Sequence, residues 1–276
     1  MCGVTSEMEE EMENEKNLLL EKISEAEMVL VGIGEEFGEN VGKGKTIPQF
    51  ADCFQAIEKN GQLLWMFPYM EKMQEDSART EKTVKAYEIL ERLLKDKNYF
   101  IVSTRMDDYI YNTNLKKERI VTPCGGYRFL QCVDGCGKRL YQADGQLPGK
   151  IYGYLMGKDG NRCEIQPPLC PECGKPLVFN NRKAADYIEE GYLEQWNKYM
   201  QWLKGTVNKK LCLLELGAGM QYPTVIRWPF ERMTFINEKS SMFRVHSKLY
   251  HLTEEMKDRG YKIQEKPIDF LINWFV

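Results

Sequence analysis

Four cysteines fall in two close pairs, Cys132-x3-Cys136 and Cys170-x2-Cys173, with 33 residues between the pairs. Thiolates at such spacings form knuckles that converge on one tetrahedral ion, and zinc is the metal that suits four of them. Gly137, Gly174 and Pro176 beside the pairs suit the tight turns this needs. Four sulfur ligands leave no position for water, so the ion expected here is structural and supplies folding energy. Cys163 is a further candidate ligand without a close partner. Glycine turns form a second group. Gly32-Ile33-Gly34 closes the apolar run that begins at Met28, and Gly217-Ala218-Gly219 closes Leu211–Leu216. Lacking Cβ, such turns let backbone amides approach a ligand closely, as a nucleotide-binding loop requires, although a plain turn explains either one alone. A third apolar run, Tyr99–Val102, leads into Ser103-Thr104-Arg105-Met106-Asp107. Polar groups at the carboxyl end of a buried strand lie where open α/β sheets bind ligands.

The elements that must hold these residues follow from periodicity. Residues 5–26 read as a helix with Leu18, Leu19, Ile23 and Ala26 on one stripe, and Met28–Val31 as a buried strand. Residues 46–97 read as helical and aromatic-rich, with Trp65, Phe67 and Tyr69 as core, and a helix at 83–94. After a stretch rich in glycine, proline and cysteine, a helix is expected at 183–204, strands at Leu211–Leu216 and Met233–Asn237, a helix near 249–258 and an apolar segment at Phe270–Val276. Strand, glycine turn and helix on both sides of a cysteine-rich insertion imply an α/β fold. The expected architecture is a Rossmann-like parallel sheet with helices on both faces (residues 1–122 and 181–276, with a helical segment at about 38–98), plus a small inserted zinc-binding unit (123–180).

Composition narrows the function. The 276 residues are 43% hydrophobic and 12% aromatic, enough for a sizeable core. The net charge of −3 and the lack of a basic stripe give nucleic acid no electrostatic purchase. Glu9, Glu10, Glu11 and Glu13 stand where a signal peptide needs cations, and no apolar run approaches the roughly 20 residues of a membrane helix. A cytoplasmic protein is expected, with no membrane partner, whose nine cysteines are thiols or metal ligands rather than disulfides.

Read in order, V-G-I-G, S-T-R-M-D, C-G-G-Y-R-F-L-Q-C, two cysteine pairs, E-L-G-A-G and F-I-N resemble the sirtuin family. The stretch E-L-G-A-G-M-Q-Y-P-T-V-I-R-W-P-F looks still more like the macrodomain-linked (class M) bacterial sirtuins. The likeness covers about residues 26–37 and 99–240. It implies NAD as cosubstrate and one structural zinc on Cys132, Cys136, Cys170 and Cys173. Gly32, Ile33, Gly34 and Glu35 would lie at the pyrophosphate, and Gly217, Ala218 and Gly219 beside the adenine ribose with Asn237 nearby. Thr104, Arg105 and Asp107 would stand at the nicotinamide end. The sequence departs from the family in three places: Cys124 stands at the catalytic His position, Arg105 at the Asn of T-Q-N-I-D, and Glu35-Glu36 where Ala and Ser are usual.

Sirtuin deacylation needs a base at the His position, and a thiol with an ordinary pKa near 8.5 is a poor one. ADP-ribosyl transfer asks only that nicotinamide leave and a nucleophile arrive, with carboxylates stabilising positive charge on the ribose. The resemblance therefore implies an NAD-dependent protein ADP-ribosyltransferase with Asp107, Arg105, Cys124 and Glu35 as candidate catalytic residues. Its acceptor would be a protein, such as a lipoylated carrier, with a macrodomain ADP-ribosyl hydrolase as companion. The alternatives are an NAD- or ADP-ribose-binding module and a protein-lysine deacylase. Bland roles stand beside these: Cys124 as a core filler, Glu35 and Glu36 as helix caps, His246 and His251 as surface residues, and Arg105 paired with Asp107 or Asp108.

Overall fold

The computed structural model describes residues 3–38, 46–157, 165–256 and 258–275, and of residues 3–12 the backbone alone. Cys163 and Val276 lie outside the described residues. The elements in chain order are α1 (Gly3–Glu25), β1 (Met28–Ile33), α2 (Pro48–Lys59), α3 (Phe67–Ser77), α4 (Glu81–Leu94), β2 (Tyr99–Ser103), β3 (Ile120–Val121), β4 (Gly125–Cys132), β5 (Leu140–Gln142), α5 (Leu147–Leu155) and β6 (Leu177–Asn181). They continue with α6 (Leu193–Lys204), β7 (Leu211–Leu216), α7 (Arg227–Ile236), β8 (Ser240–Val245), β9 (Gly260–Ile263) and α8 (Pro267–Phe275).

Six strands form one parallel sheet in the order β3-β2-β1-β7-β8-β9. The order reverses between β1 and β7, the kind of crevice at which doubly wound sheets bind ligands. Every residue of β1, β2 and β7 is buried, so these strands read as continuous apolar runs. Alternate side chains serve opposite faces. Val29, Val31 and Ile33 pack with α1, α4 and α8, while Leu30, Phe100 and Leu213 pack with α6 and α7. The expected fold class is therefore the observed one. α4 is an amphipathic helix capped by Thr80, whose hydroxyl accepts the Thr83 N–H.

A three-stranded antiparallel sheet, β5-β4-β6, carries the cysteine pairs. Its core joins Tyr127, Leu130 and Phe179 to Phe50, Ile57 and Met70 of α2 and α3. The helical residues 46–77, grouped by sequence with the large sheet, thus bury their apolar faces against the small one. Tyr69 packs at a tilt against Phe179 there, with Trp65 edge-on to it and Phe67 in the same cluster. No described helix is long and apolar enough to cross a membrane.

Three expected elements differ. Residues 233–237 end helix α7 instead of forming a strand, and the strand is β8. The helix expected near 249–258 is a short 3-10 turn, Glu254–Met256. The carbonyls of Leu249 and His251, which a helix would use internally, accept guanidinium N–H groups of Arg227 and Arg244. The helix expected at 183–204 begins only at Leu193. Before it, Gln131 and Asn180 bond the backbone of Asp186 and Ile188 and hold a run of turns against the small sheet.

Gly32 belongs to β1 itself, and a Cβ there would lie 2.4 Å from Ile226 and 2.9 Å from Phe230. Its missing side chain makes room for the entry to α7. Gly32→Val should therefore lower unfolding free energy by about 1–3 kcal/mol through overpacking, measured by urea denaturation.

Candidate functional site

Cys132 ends β4, Cys136 opens the following turn, and Cys170 and Cys173 lie in the loop before β6. Their four sulfurs lie within 4.8 Å of one another, with Cys132–Cys173 and Cys136–Cys170 at 3.5 Å. A zinc ion about 2.3 Å from each of four tetrahedral sulfurs sets them roughly 3.8 Å apart, so the donor set fits the metal. Desolvation works against the Cys170 thiolate, but the N–H groups of Glu172 and Cys173 outweigh it and hold the thiol down at about 6. That favours the ligating form.

At the carboxyl edge of the large sheet, parallel pairing of Gly32 with Glu215 and Ile33 with Leu216 sets the two glycine turns side by side. They touch through backbone: a Cβ on Gly34 would lie 2.2 Å from Ala218 Cα, and Gly217 has a left-handed φ of 71°. Gly34 N–H donates to Leu216 O and Glu36 N–H to Gly217 O. The glycines thus serve loop-to-loop contact first.

Glu35 and Glu36, candidate helix caps, lie in turns that run to Gly38. Glu35 accepts the Gly219 N–H at 2.7 Å and Glu36 the Ser247 N–H at 2.8 Å. His246 is buried, not a surface residue. Its Nδ1 accepts the N–H groups of Lys248 and Leu249 and lies 3.0 Å from Glu36 Oε2. Burial lowers its pKa against the pull of Glu36, so the ring stays neutral and the contact is no ion pair. His251 is exposed and stacks on Tyr250.

Beneath these turns runs a charged network that the sequence did not reveal. Glu215 on β7 accepts two N–H bonds from Arg244 on β8, at 2.7 and 2.9 Å, and both residues are fully buried. Arg244 also donates to Glu231, and Arg227 donates to Ala218 O at 2.9 Å, fixing the second glycine turn from below. The available signal was a charge inside each of two apolar strands.

After β2, Thr104 N–H donates to Ile33 O, which ties this loop to the first glycine turn. Thr104 Oγ1 is buried without a hydrogen-bond partner among the described residues. Arg105 Nε donates to Asp107 at 2.6 Å, its Nη2 also pairs with Asp107, and Nη1 reaches Glu35 O. Asp107 accepts the Tyr109 N–H through its other oxygen. Burial disfavours the charge on Arg105, but Asp107 more than restores it. Asp108, in a left-handed conformation, accepts the N–H groups of Tyr127 and Arg128 and joins this loop to β4. A Cβ on Gly126 would lie 2.2 Å from its carboxylate, so the C-G-G segment makes room for this junction.

Cys124 is 1% exposed, and burial, helped by Glu35, pushes its thiol up to about 12. It packs as a neutral group. Asn237 lies away from these residues. It caps the end of α7 and donates to Thr206 O and Lys209 O, before β7 and β8 begin, so it stands at the opposite edge of the sheet from the glycine turns.

No protein-family model matches the chain. It is 23% identical over 272 residues to a protein ADP-ribosyltransferase of Staphylococcus aureus (strain Mu50 / ATCC 700699), covering 93% of this chain and 85% of that protein. It is also 27% identical over 150 residues to a probable bifunctional ADP-ribose hydrolase/ADP-ribosyltransferase of Fusarium oxysporum f. sp. cubense, covering 52% of this chain but a quarter (25%) of the fungal protein. Among solved structures, a Sir2 mutant with a p53 peptide and NAD superposes with a TM-score of 0.55 at 13% identity, over 94% of this chain and 96% of that one. Sir2 with the inhibitor EX-527, 2′-O-acetyl-ADP-ribose and a deacetylated p53 peptide gives 0.54 at 13% identity, over 93% and 96%. The chain has a Sir2-type fold.

Two outcomes follow. Metal analysis of the purified chain should find one zinc, and Cys170→Ser should lose it with a large drop in thermal stability, because structural zinc binding is folding energy. Arg244→Leu should cost about 3–5 kcal/mol in urea unfolding by stranding Glu215, and the Glu215→Met, Arg244→Leu pair should cost less.

Proposed function

We propose that this chain is an NAD-consuming transferase that cleaves the nicotinamide–ribose bond and passes ADP-ribose to a protein acceptor. The observation that carries this reading is the Arg105–Asp107 ion pair at the carboxyl end of β2, beside the crevice where the strand order reverses. The activities named for the bacterial and fungal relatives support it, as do the NAD, ADP-ribose derivative and peptide in the structural neighbours.

Bound NAD would supply an activated bond from the ribose carbon to a good leaving group. Thr104 Oγ1, buried and without a partner among the described residues, is a polar atom available to such a ligand and supports the fit. Asp107 would keep Arg105 from presenting an unpaired cation to the positive charge developing on the ribose. Arg105, already neutralised by Asp107, would not raise that barrier, and it retains N–H groups for a polar ligand. Gly34, Gly217, Ala218 and Gly219 would shape the floor through their loop contact, with Gly32 and Ile33 behind them and Glu35 fixing Gly219. Asn237 has no part in this reading.

A neutral Cys124 is no base, which weighs against the proton transfers of deacylation. We further propose that the four cysteines hold one structural zinc in a unit made of residues 46–77 and 123–181. A lipoylated carrier remains the proposed acceptor. The hydrolase named in the fungal relative supports an ADP-ribose hydrolase as companion, which we take to be a macrodomain protein.

Incubation of the zinc-loaded protein with NAD, with and without host lysate, should release nicotinamide measurable by chromatography. Asp107→Ala should reduce the rate by about 100-fold, as expected when charge stabilisation at a reacting centre is removed. Thermal stabilisation by NAD without any nicotinamide release would overturn the transferase and leave a binding module.

A further inference from the structure

Glu75 lies on α3, half-buried, beside Tyr127, whose backbone N–H bonds Asp108 in the loop after β2. Tyr127 of β4 donates its hydroxyl to Glu75 Oε1 at 3.4 Å. Arg105 and Asp107 act on it from that loop, Glu71 from one turn earlier on α3, and Lys183 from the chain after β6. Lys183 itself pairs with Glu71 at 2.9 Å. Glu75 therefore stands where α3 of the small unit meets the Arg105–Asp107 pair of the large sheet.

Most of the neighbouring candidates for proton transfer are held by shorter hydrogen bonds. Asp107 is held by Arg105 and the Tyr109 N–H, Glu35 by Gly219, and Glu36 by Ser247. His246 Nδ1 accepts two N–H groups, and Cys124 is a buried neutral thiol. Among the described residues, Glu75 has one long hydrogen bond from Tyr127, which leaves carboxylate lone pairs for an incoming group.

We propose that Glu75 is the proton acceptor of this site, a reading that rests on the NAD-consuming transferase proposed above. Its carboxylate takes the proton of an acceptor X–H as the lone pair of X closes on the ribose carbon. The carbon–nitrogen bond breaks, its electron pair leaves with neutral nicotinamide, and the products are the ADP-ribosyl acceptor and a protonated Glu75 that returns its proton to solvent. Burial pushes the Glu75 carboxyl up to about 7; Asp107 and Glu71 add to this, while Lys183 and Arg105 oppose it. A base poised near the working pH is the efficient one.

The test uses the full zinc-loaded chain and two small nucleophiles, methanol, which must lose a proton, and azide, which has none to lose. With methanol and NAD, wild-type nicotinamide release should rise with pH through about 7. Glu75→Gln should lower that rate by about 100-fold and abolish the rise, as loss of a general base does. The azide rate should be preserved in the variant and show no such limb. A second measurement needs no NAD. A carboxyl raised from about 4.5 to about 7 on folding contributes stability that is present below the lower value and lost as pH rises toward the upper one. The melting temperature of Glu75→Gln relative to wild type should therefore climb between pH 4.5 and 7.5. An unchanged methanol profile in the variant, or a flat melting difference, overturns the role of Glu75 while wild-type nicotinamide release leaves the transferase standing. No release from wild type with either nucleophile overturns both.

Discussion

Parallel pairing of β1 with β7 joins two segments that are separated in sequence by all of the small unit, and the arrangement of the site depends on it. The pairing sets Gly32 beside Glu215 and Ile33 beside Leu216, so both strands reach the carboxyl edge together. The two glycine turns then meet backbone to backbone, and Thr104 joins them by donating to Ile33 O. Parallel strands exchange no direct hairpin and must be brought together by long crossovers, which slows their assembly. The apolar layers on both faces compensate, because each strand of the centre is buried on both sides.

The small unit is held against this frame by specific contacts. Asp108 fastens the loop after β2 to β4 through two backbone N–H groups, and Tyr127, adjacent to that junction, reaches Glu75. The loop carrying Arg105 and Asp107 is therefore tied at one end to β1 and at the other to the sheet that bears the four cysteines. Motion of one unit against the other would be transmitted to these side chains first.

Much of the frame was legible in the amino-acid order. Apolar runs bounded by glycine mark β1 and β7, and the cysteine spacing marks the sulfur cluster, because both signals are local. Other features were not local. Met233–Asn237 looks like a strand as a five-residue run, yet Phe230 and Thr234 face the core and Trp228 and Phe235 the solvent, a helical period that only a longer window reveals. β8 was obscured by Ser240, Ser241 and Arg244, polar residues tolerated in a buried strand because Glu215 meets the arginine. Glu75 sits in an ordinary amphipathic helix, and its significance comes from Arg105, Asp107, Tyr127 and Lys183, brought to it by the fold. Glu35 could not be assigned from sequence because its partner, Gly219, lies 184 residues away.

The buried Glu215–Arg244 pair also bears on how the sheet finds its alignment. Both residues lie on the face of their strands that packs against α6 and α7, with Leu211, Leu213 and Met242. A slip of one residue along either strand would turn its charge into the layer formed by α1, α4 and α8, where the surrounding core is apolar. An unpaired charge there is far more costly than a lost van der Waals contact, whereas two wholly aliphatic strands could shift at modest expense. The pair thus favours the one register in which both charges are paired, which is also the register that lets the glycine turns meet.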